Sequence, residues 1–384
     1  MMQYFVHGQQ IILEDETVED GYLEIKDGKF GKVLKKRPDH GVVIDYSEMI
    51  ISPGLVDTHI HGFGGHDVMD GTFDALNNIS KELLKYGVTS WLPTTLTSSI
   101  ENLNYVCQLI SESQGLVEGS KIQGIFLEGP FFTETHKGAQ NPDYMMDPSI
   151  EYLIKWLDLS QGLLKKVAIA PERKGVKEFI ECANKNNIVV SLAHSNASFS
   201  EVQQAVNEGA SIFVHTFNGM SGLHHREPGM VGAALTCKNV FTEIIADGHH
   251  VHPMAIKLLL NSRSSDEVIL ITDCMRAGGM GNCRSKLGEF DVIVENEQAR
   301  LVDGNSLAGS VLNLPKAIKN LIEWELVDII TAIKMATIVP ARSINIQNTC
   351  GVIVENNDAD YIILDKKGNL KATYINGKKV FESE

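Results

Sequence analysis

The stretch GLVDTHIH at residues 54–61 is an apolar, β-branched run that ends on His59 and His61. Seven further runs of this kind follow it, and amphipathic stretches separate them. Near-continuous apolar strands that alternate with helices predict an α/β protein with a parallel sheet covered on both faces. The seven runs are VTSWLPTT (88–95), IQGIFLEG (122–129), KVAIAP (166–171), IVVSLAH (188–194), SIFVHTF (211–217), VFTEIIAD (240–247) and VILITD (268–273).

Helical periodicity is clearest at 72–87, 176–187 and 199–209. Eight strand and helix units in this length predict a (β/α)₈ TIM barrel, although a doubly wound open sheet shares the same alternation. Catalytic groups of a barrel lie at the carboxyl ends of its strands, which favours the barrel here. Five of the eight runs end on a residue that suits metal binding or acid–base chemistry, namely His59 with His61, Glu128, His194, His215 and Asp273.

The two ends of the chain differ from the middle. Residues 3–50 and 359–382 alternate apolar and polar residues in short runs, which are broken by the turn pairs Asp27-Gly28 and Asn376-Gly377. Each end alone is too small for a stable core. We therefore predict one small β-sandwich domain formed by segments 1–52 and 346–384, with the barrel at 53–345.

Composition excludes several classes of protein. The 384 residues are 43% hydrophobic and 22% charged, as in ordinary globular proteins. A formal net charge of -15 disfavours nucleic acid and anionic membranes as partners, so an anionic substrate needs a local group of cations. The six cysteines are scattered, and no secretory signal or membrane-length apolar run is apparent. These features predict reduced thiols, no membrane partner and a cytoplasmic location.

His59 and His61 form an HxH pair. Residues i and i+2 of a strand point to the same side, so both imidazoles can reach one cation such as zinc or iron. An isolated HxH is more often two partly exposed loop histidines. The glycines of GFGG at 62–65, which allow a close approach of backbone to a ligand, favour the metal site.

Glu128 ends a strand before Gly129-Pro130, and a buried carboxylate there needs either a metal or a salt-bridge partner. A single strand histidine is usually a core residue. His194 and His215, however, end consecutive strands. With Glu128 they form a two-histidine, one-carboxylate set, as catalytic zinc commonly has.

Asp273 ends the eighth run, where a carboxylate can accept a proton from metal-activated water or, alternatively, begin a helix. Arg226, in HHREPG with His224 and His225, suits phosphate, although the segment also fits a solvated loop. The histidines of IIADGHHVHP follow the seventh run, and Pro253 indicates that His252 begins a helix.

Several motifs then occur in order between about Pro53 and Arg342. In this respect the chain resembles the N-acetylglucosamine-6-phosphate deacetylase family of the amidohydrolase superfamily. HTFNGMSGLHHREPG and IADGHHVHP are specific to that family, whereas PGxxDxHxH marks only the superfamily. The motifs are PGLVDTHIHG, FLEGPFF, AHSNA, HTFNGMSGLHHREPG, IADGHHVHP, ITDCM and SLAGS.

The resemblance implies a divalent metal, Zn²⁺ or Fe²⁺, at one or two per subunit. Glu128, His194 and His215 would hold the main metal. His59 and His61 would hold a second one, as in members that retain HxH.

The resemblance also implies the substrate contacts. Arg226 and His250 would bind the phosphate, with Arg226 in some members reaching across a dimer interface. A homodimer or a higher homo-oligomer follows. The residues expected along the sugar are Ala139, Asn218, Gly219, Leu307, Ala308 and Gly309.

Three positions depart from the patterns of related proteins. Gln140 stands where some members have a histidine that polarises the acetyl carbonyl, and its amide can still donate a hydrogen bond. Gly219 replaces a common alanine, which we take as a small change. The fourth run ends in AIAPER without the lysine that bridges the metals of many dinuclear amidohydrolases, so Glu128 would be the bridge.

The implied reaction is hydrolysis of N-acetyl-D-glucosamine 6-phosphate to D-glucosamine 6-phosphate and acetate, in amino-sugar catabolism. A metal-bound water would attack the acetyl carbonyl, with Asp273 as general base and then as general acid. Two other functions stay open at this point. One is deacetylation of the galactosamine epimer, and the other is sugar-phosphate binding without catalysis on the same fold.

Overall fold

The computed structural model describes residues 3–304 and 306–383. The N-terminal region consists of strands linked by short turns. Asp27 and Gly28, with φ of 51° and 81°, form the two-residue left-handed turn between the second and third strands. The four strands are β1 (Gln3–Ile12), β2 (Thr17–Lys26), β3 (Lys29–Leu34) and β4 (Val42–Pro53).

Each of the eight apolar runs of the sequence overlaps a strand of the central region. Three very short strands accompany them. The bounds are β5 (Leu55–Ile60), β6 (Gly62–Phe63), β7 (His66–Asp67), β8 (Val88–Pro93), β9 (Lys121–Ile122), β10 (Ile125–Phe131), β11 (Leu164–Ile169), β12 (Val189–Leu192), β13 (Ile212–Phe213), β14 (Phe241–Ile245) and β15 (Val268–Ile271).

Nine of these strands form two parallel sheets, whereas β6 and β7 pair with each other in a separate antiparallel sheet. One has the order β10-β11-β12-β13-β14-β15, and the other has the order β5-β8-β9. Isolated parallel bridges connect the two sheets, from Ile60 to Cys274 and from Thr94 to Phe126. The parallel arrangement confirms the predicted α/β class.

The strands are buried on both sides, as their apolar composition predicts. Val56 and Leu92 belong to one apolar cluster, whereas their neighbours Leu55 and Trp91 belong to another. Successive side chains of a strand point to opposite faces, so each face of the sheet packs against its own layer.

One strand differs from the sequence prediction. Gly129-Pro130 was expected to stop the third run, yet β10 continues to Phe131. Its register with β11 shifts between Leu127 and Phe131, so the pairing is interrupted around Glu128. Glu128 therefore lies within the strand, at an irregularity of the ladder.

Helices follow most of the parallel strands. The segments 72–87, 176–187 and 199–209 each contain a helix, which confirms those predictions. The helices are α1 (Phe73–Leu84), α2 (Ile100–Ser113), α3 (Ile150–Leu159), α4 (Val176–Lys185), α5 (Phe199–Glu208), α6 (Gly229–Thr236), α7 (Pro253–Ser262), α8 (Leu314–Glu323), α9 (Ile329–Lys334) and α10 (Ile338–Ser343).

Local sequence signals set the ends of several helices. Ser198 and Glu201 form a reciprocal capping box at the start of α5, and Gly209 ends that helix with φ of 114°. His252 caps α7 by accepting a hydrogen bond from the Met254 N–H, as the following proline predicted. No helix in the described residues is long and apolar enough to cross a membrane.

A small antiparallel sheet follows the last parallel strand. It consists of β16 (Cys283–Leu287), β17 (Phe290–Glu295) and β18 (Gln298–Leu301). Its buried face, with Leu287 and Val292, packs against Leu96 and Met275 of the central region. This sheet therefore covers the carboxyl end of β15.

The last strands are β19 (Tyr361–Leu364), β20 (Leu370–Ile375) and β21 (Lys378–Glu382). They join the N-terminal strands in one mixed sheet of order β21-β20-β19-β4-β1-β2-β3. Ile51 of β4 stands opposite Ile363 of β19, so the two ends of the chain pair directly. All six cysteines are free thiols, as predicted.

Candidate metal centre

The predicted metal ligands and the predicted base meet at one end of the parallel strands. His59 lies on β5, and His61 follows that strand directly. Glu128 lies on β10, while His194, His215 and Asp273 lie two residues beyond β12, β13 and β15 respectively. Because the carboxyl ends of parallel strands converge, the six side chains share one buried region.

Three of these residues have a backbone conformation that non-glycine residues seldom adopt. The φ angles of His194, His215 and Asp273 are 43°, 31° and 50°. Such left-handed residues cluster at functional sites, where the surrounding structure holds them in place. The chain turns sharply just after each strand, and each turn directs a polar side chain toward the others.

Glu128 is the centre of the arrangement. Its Oε1 lies 3.2 Å from His215 Nε2 and 3.5 Å from His194 Nε2. Its Oε2 lies 3.2 Å from His61 Nε2. One carboxylate is thus shared by two groups that could each hold a metal, namely Glu128-His194-His215 and His59-His61-Glu128.

All four imidazoles have an acceptor at Nδ1, which leaves Nε2 to face the centre. His194 Nδ1 lies 2.8 Å from the His136 carbonyl, and His215 Nδ1 lies 3.1 Å from the Asn218 carbonyl. His61 Nδ1 lies 3.2 Å from the Thr94 carbonyl. A ring whose Nδ1–H donates to such an acceptor presents the Nε2 lone pair, as a metal ligand does.

His59 provides the test of whether the centre suits a metal. Its Nε2 is buried and has no hydrogen-bond partner among the described residues, although Asp273 Oδ1 and Glu128 Oε1 lie 3.3 and 3.4 Å away. A buried nitrogen without a partner is costly unless a ligand satisfies it. The imidazole and carboxylate donors suit zinc or iron. The residues therefore fit a divalent cation.

The electrostatics of the centre favour positive charge. Burial lowers the pKa of His61, but hydrogen bonds and charge from Asp273 and Glu128 outweigh burial and raise it to about 9. Burial alone would raise the pKa of Asp273, yet the charges of His59 and His61 and the hydrogen bond of His61 lower it. The carboxylates are thus ionised at neutral pH, and they attract a cation to the same point.

Gln140 contacts the backbone of Thr97 and the carboxylate of Glu128. Its Oε1 accepts the Thr97 N–H at 2.7 Å, and its Nε2 donates to Glu128 Oε2 at 2.8 Å. The backbone donor fixes the orientation of the amide, so its NH₂ group faces the shared carboxylate. Gln140 therefore orients Glu128, and one amide proton is already committed to that contact.

A cavity opens directly over the centre. Leu96 and Leu287, which sequence reasoning missed, line it together with Gly138. The signal that could have located Leu287 is its place in the small sheet after β15. The predicted residues that line the cavity are His61, Glu128, Ala139, Gln140, His194, His215, Asn218, Gly219, His250, Asp273, Leu307 and Gly309.

Among the described residues, three that the sequence predicted for the site do not line the cavity. His59 lies beneath it, and Ala308 is buried behind it. Arg226 is exposed, with Nη1 2.8 Å from His225 Nε2. Within one subunit, the structure does not bring Arg226 to the cavity that His250 lines.

Gly219 is more constrained than the sequence comparison suggested. Its φ is 59°, and a Cβ added there would stand 2.9 Å from His194 Nδ1. An alanine at this position would require movement of a predicted metal ligand. Gly219 therefore gives His194 room that a larger residue would reduce.

His250 is held by its neighbour Asp247. Its Nδ1 lies 2.6 Å from Asp247 Oδ2, while the other oxygen of Asp247 accepts the backbone N–H groups of His249 and His250. Burial lowers the pKa of His250, but the hydrogen bond and charge of Asp247 outweigh it and raise the pKa. The imidazole therefore holds a positive charge to a higher pH than an ordinary histidine, at the wall of the cavity.

A second layer of buried polar residues lies below the centre, and sequence reasoning missed it. Asp57 accepts hydrogen bonds from the His59 N–H at 3.2 Å and from Thr272 Oγ1 at 2.6 Å. Glu243 lies 3.1 Å from His59 Nδ1 and binds Lys166. The sequence signal for Lys166 and Glu243 is a charged residue inside an otherwise apolar strand run.

Comparison with known proteins agrees with this geometry. Residues 50–380 match the model of the amidohydrolase family. The chain belongs to that family, whose members are typically metal-dependent hydrolases, and the resemblance inferred from the motifs is confirmed.

Individual relatives narrow the class further. The chain is 36% identical to the N-acetylglucosamine-6-phosphate deacetylase of Vibrio furnissii, over 99% of this chain and 94% of that protein. It is 35% identical to the N-acetylgalactosamine-6-phosphate deacetylase of Escherichia coli O157:H7, over 98% and 99% of the two chains.

A solved structure extends the likeness to three dimensions. It is a mutant N-acetyl-D-glucosamine-6-phosphate deacetylase from Mycobacterium smegmatis in complex with N-acetyl-D-glucosamine-6-phosphate. The match has a TM-score of 0.92 at 26% identity and covers 99% of this chain and 100% of that one.

Proposed function

We propose that this protein hydrolyses N-acetyl-D-glucosamine 6-phosphate to D-glucosamine 6-phosphate and acetate. The observation that carries the proposal is the carboxylate of Glu128, which two pairs of histidines share beside Asp273 at the floor of a cavity. The pairs are His59 with His61 and His194 with His215. Full-length relatives named as deacetylases of this substrate support the same activity.

The fold proposed for this activity is a closed (β/α)₈ barrel at 53–345, with a β-sandwich domain formed by 1–52 and 346–384. The two parallel bridges at Ile60–Cys274 and Thr94–Phe126 support closure, because they connect both edges of the six-stranded sheet to the three-stranded one. The pairing of β4 with β19 supports a domain made from both ends of the chain.

The proposed cofactor is Zn²⁺ or Fe²⁺, at one or two per subunit. Glu128, His194 and His215 would hold the main ion, and His59 and His61 would hold a second one together with Glu128. When bound, such an ion polarises the acetyl carbonyl and lowers the pKa of water to roughly 7. The orphaned His59 Nε2 supports occupancy of the second position.

Asp273 is the proposed general base. Its Oδ1 lies 3.2 Å from His61 Nε2, at the edge of the centre that faces the cavity. Its lowered pKa keeps it ionised at neutral pH, so it can take a proton from the attacking water. The protonated carboxyl then gives that proton to the departing amine of the sugar.

The remaining residues would hold the substrate. Asn218, Gly219 and Ala139 line the cavity along the proposed sugar site, as do Leu307 and Gly309, with Ala308 behind them. His250 would bind the 6-phosphate with its positive charge. Arg226 is exposed, which supports the proposal that it completes the phosphate site of a second subunit in a homodimer.

A cytoplasmic location and a homodimer or higher homo-oligomer belong to the same proposal. The free cysteines are consistent with a reducing compartment. Sedimentation of the purified protein would establish the oligomeric state. A monomer with full activity would refute the role of Arg226 across an interface.

The decisive experiment measures acetate release from the 6-phosphates of N-acetylglucosamine and N-acetylgalactosamine, with metal analysis of the same sample. We expect the higher kcat/KM for the glucosamine substrate. The relative that acts by name on the galactosamine epimer makes that epimer the second candidate. Release from neither sugar by the metal-loaded protein would favour non-catalytic binding.

A further inference from the structure

An ion pair lies in the protein interior beneath the candidate metal centre, and the proposed reaction does not use it. Lys166 of β11 and Glu243 of β14 are both fully buried, and Lys166 Nζ donates to Glu243 Oε1. The same ammonium group lies 3.7 Å from the centre of the Phe126 ring. Two charges removed from water carry a large desolvation penalty, so their position calls for an explanation.

The other oxygen of Glu243 contacts a predicted metal ligand. Glu243 Oε2 lies 3.1 Å from His59 Nδ1 and 3.4 Å from the backbone nitrogen of His215. Because Nδ1–H of His59 donates to this oxygen, the ring turns its Nε2 toward Glu128 and Asp273. The orphaned nitrogen of the centre is therefore aimed by Glu243.

His59 differs in this respect from the other imidazoles of the centre. In the described residues, His61, His194 and His215 each have a backbone carbonyl at Nδ1. His59 has a carboxylate instead. A carboxylate at this position fixes the tautomer and also makes the imidazole a more basic, stronger ligand.

We propose that Glu243, held by Lys166, is a positioning residue for the second metal. Lys166 keeps the carboxylate in one orientation and balances its charge, and Glu243 fixes His59 with Nε2 toward the shared Glu128. This inference rests on the proposed function, because it concerns the two-metal form of that centre. A purely structural ion pair would fill the interior without affecting metal affinity.

The test compares metal binding by two double variants, without substrate. Lys166→Met/Glu243→Leu removes both charges and the acceptor of His59, and it should fold because apolar replacement of a buried ion pair is often neutral or stabilising. Lys166→Met/Glu243→Gln keeps an amide oxygen for His59. The control is Lys121→Met/Asp360→Asn, which removes a 2.7 Å ion pair beside the mixed sheet.

Zinc stoichiometry and the dissociation constant of each ion are measured by competition with a chelator, after circular dichroism has verified the fold. We expect Lys166→Met/Glu243→Leu to keep one ion at wild-type affinity. The dissociation constant of the other ion should rise about 10–100-fold, the usual effect of losing such an outer contact. The amide variant should lie between this variant and wild type, and the control should match wild type.

Two results would overturn the proposal. A folded Lys166→Met/Glu243→Leu variant that binds both ions with wild-type affinity makes the pair structural. If wild-type protein binds only one ion under saturating zinc, there is no second metal for Glu243 to position. Failure of the proposed function would look different, because inactivity on both sugars leaves the two ion affinities and their response to the variants unchanged.

Discussion

The two halves of the candidate centre are built in different ways. His194 and His215 sit on left-handed turns just beyond short strands, and loop carbonyls of His136 and Asn218 orient them. His59 lies within β5, and a buried carboxylate and lysine below the centre orient it. His194 and His215 therefore depend on loop geometry, whereas His59 depends on charges buried between strands.

Because of this difference, a single change should weaken metal binding in one half of the centre and leave it intact in the other. A change in the buried pair would weaken the ion at His59 and His61 while the loops still hold His194 and His215. Glu128 is the exception, because its two oxygens serve both halves. Variants that remove the reaction, one half of the centre or an outer contact should therefore give effects of decreasing size.

The largest effect is expected for Asp273, which lies beside His59 and His61 but is proposed to act on the substrate. Asp273→Asn removes the proton acceptor and should lower kcat by roughly 10²–10⁴-fold. The number of bound metals and the affinity for substrate should change little. Steady-state rates with metal analysis check this, and full-rate turnover by the variant at neutral pH would rule out the base.

The next variant separates the two halves. His59→Ala/His61→Ala should bind one metal fewer than wild type, because Glu128, His194 and His215 remain as a complete set of three ligands. We expect kcat to fall as well, because the ion that His59 and His61 would hold lies beside the proposed base Asp273. Elemental analysis of protein purified without chelators measures the count.

The matched variant on the other side is His194→Ala/His215→Ala, which should lose the other ion. A wild-type content of one metal per chain, with unchanged activity in His59→Ala/His61→Ala, would contradict the division into two halves.

The sequence predicted the loop-built half more fully than the strand-built half. His194 and His215 end apolar runs, and parallel strands bring such ends together whatever the details of packing. Glu243 and Lys166 lie inside their strands, which are not neighbours in the sheet. Their pairing depends on how side chains meet across the interior, which periodicity alone does not encode.

Residues whose neighbours come from distant loops were also harder to predict. Gln140 was predicted as a donor at the substrate carbonyl, and the orientation of its amide is set by the backbone of Thr97 and the carboxylate of Glu128, which the sequence did not indicate. The constraint on Gly219 arises from His194, which is 25 positions earlier in the chain. In both cases the residue type was informative, and its partner was set by tertiary structure.

Variants of Arg226 test whether the exposed loop at 223–227 contributes to binding of the phosphate, in contrast to the enclosed centre. Loss of a charge-assisted hydrogen bond costs about 1.5–3 kcal/mol, or roughly one to two decades in an equilibrium constant. Arg226→Ala should therefore lower kcat/KM by that factor for the 6-phosphate and change little for unphosphorylated N-acetylglucosamine. Arg226→Lys should restore only part, since a point charge lacks the planar fork of donors.

Two outcomes would count against this role of Arg226. Equal losses on both sugars would make the residue structural, and no loss on either would make the segment a solvated loop. Mixing Arg226→Ala with the inactive Asp273→Asn protein gives a further test. Recovery of activity in mixed dimers would place the arginine of one subunit at the phosphate site of the other.

The smallest effect concerns the pH dependence of phosphate binding by His250, which lines the cavity. Asp247 raises the pKa of His250 against the effect of burial, Asp273 acts in the same direction, and Arg300 opposes both. A raised pKa means that His250 keeps its positive charge to a higher pH than an ordinary histidine does, and loses it as pH rises through the raised value. The ratio of kcat/KM for the phosphorylated sugar to that for the unphosphorylated sugar should therefore fall at alkaline pH. Titration of Asp273 and of the metal centre affects both sugars alike, so the ratio isolates the phosphate site.

Asp247→Asn removes the main partner of His250. It should move the fall in this ratio to lower pH, so that near neutrality the ratio is a few-fold smaller than in wild type. A ratio independent of pH in both proteins would show that His250 does not carry the charge that binds the phosphate.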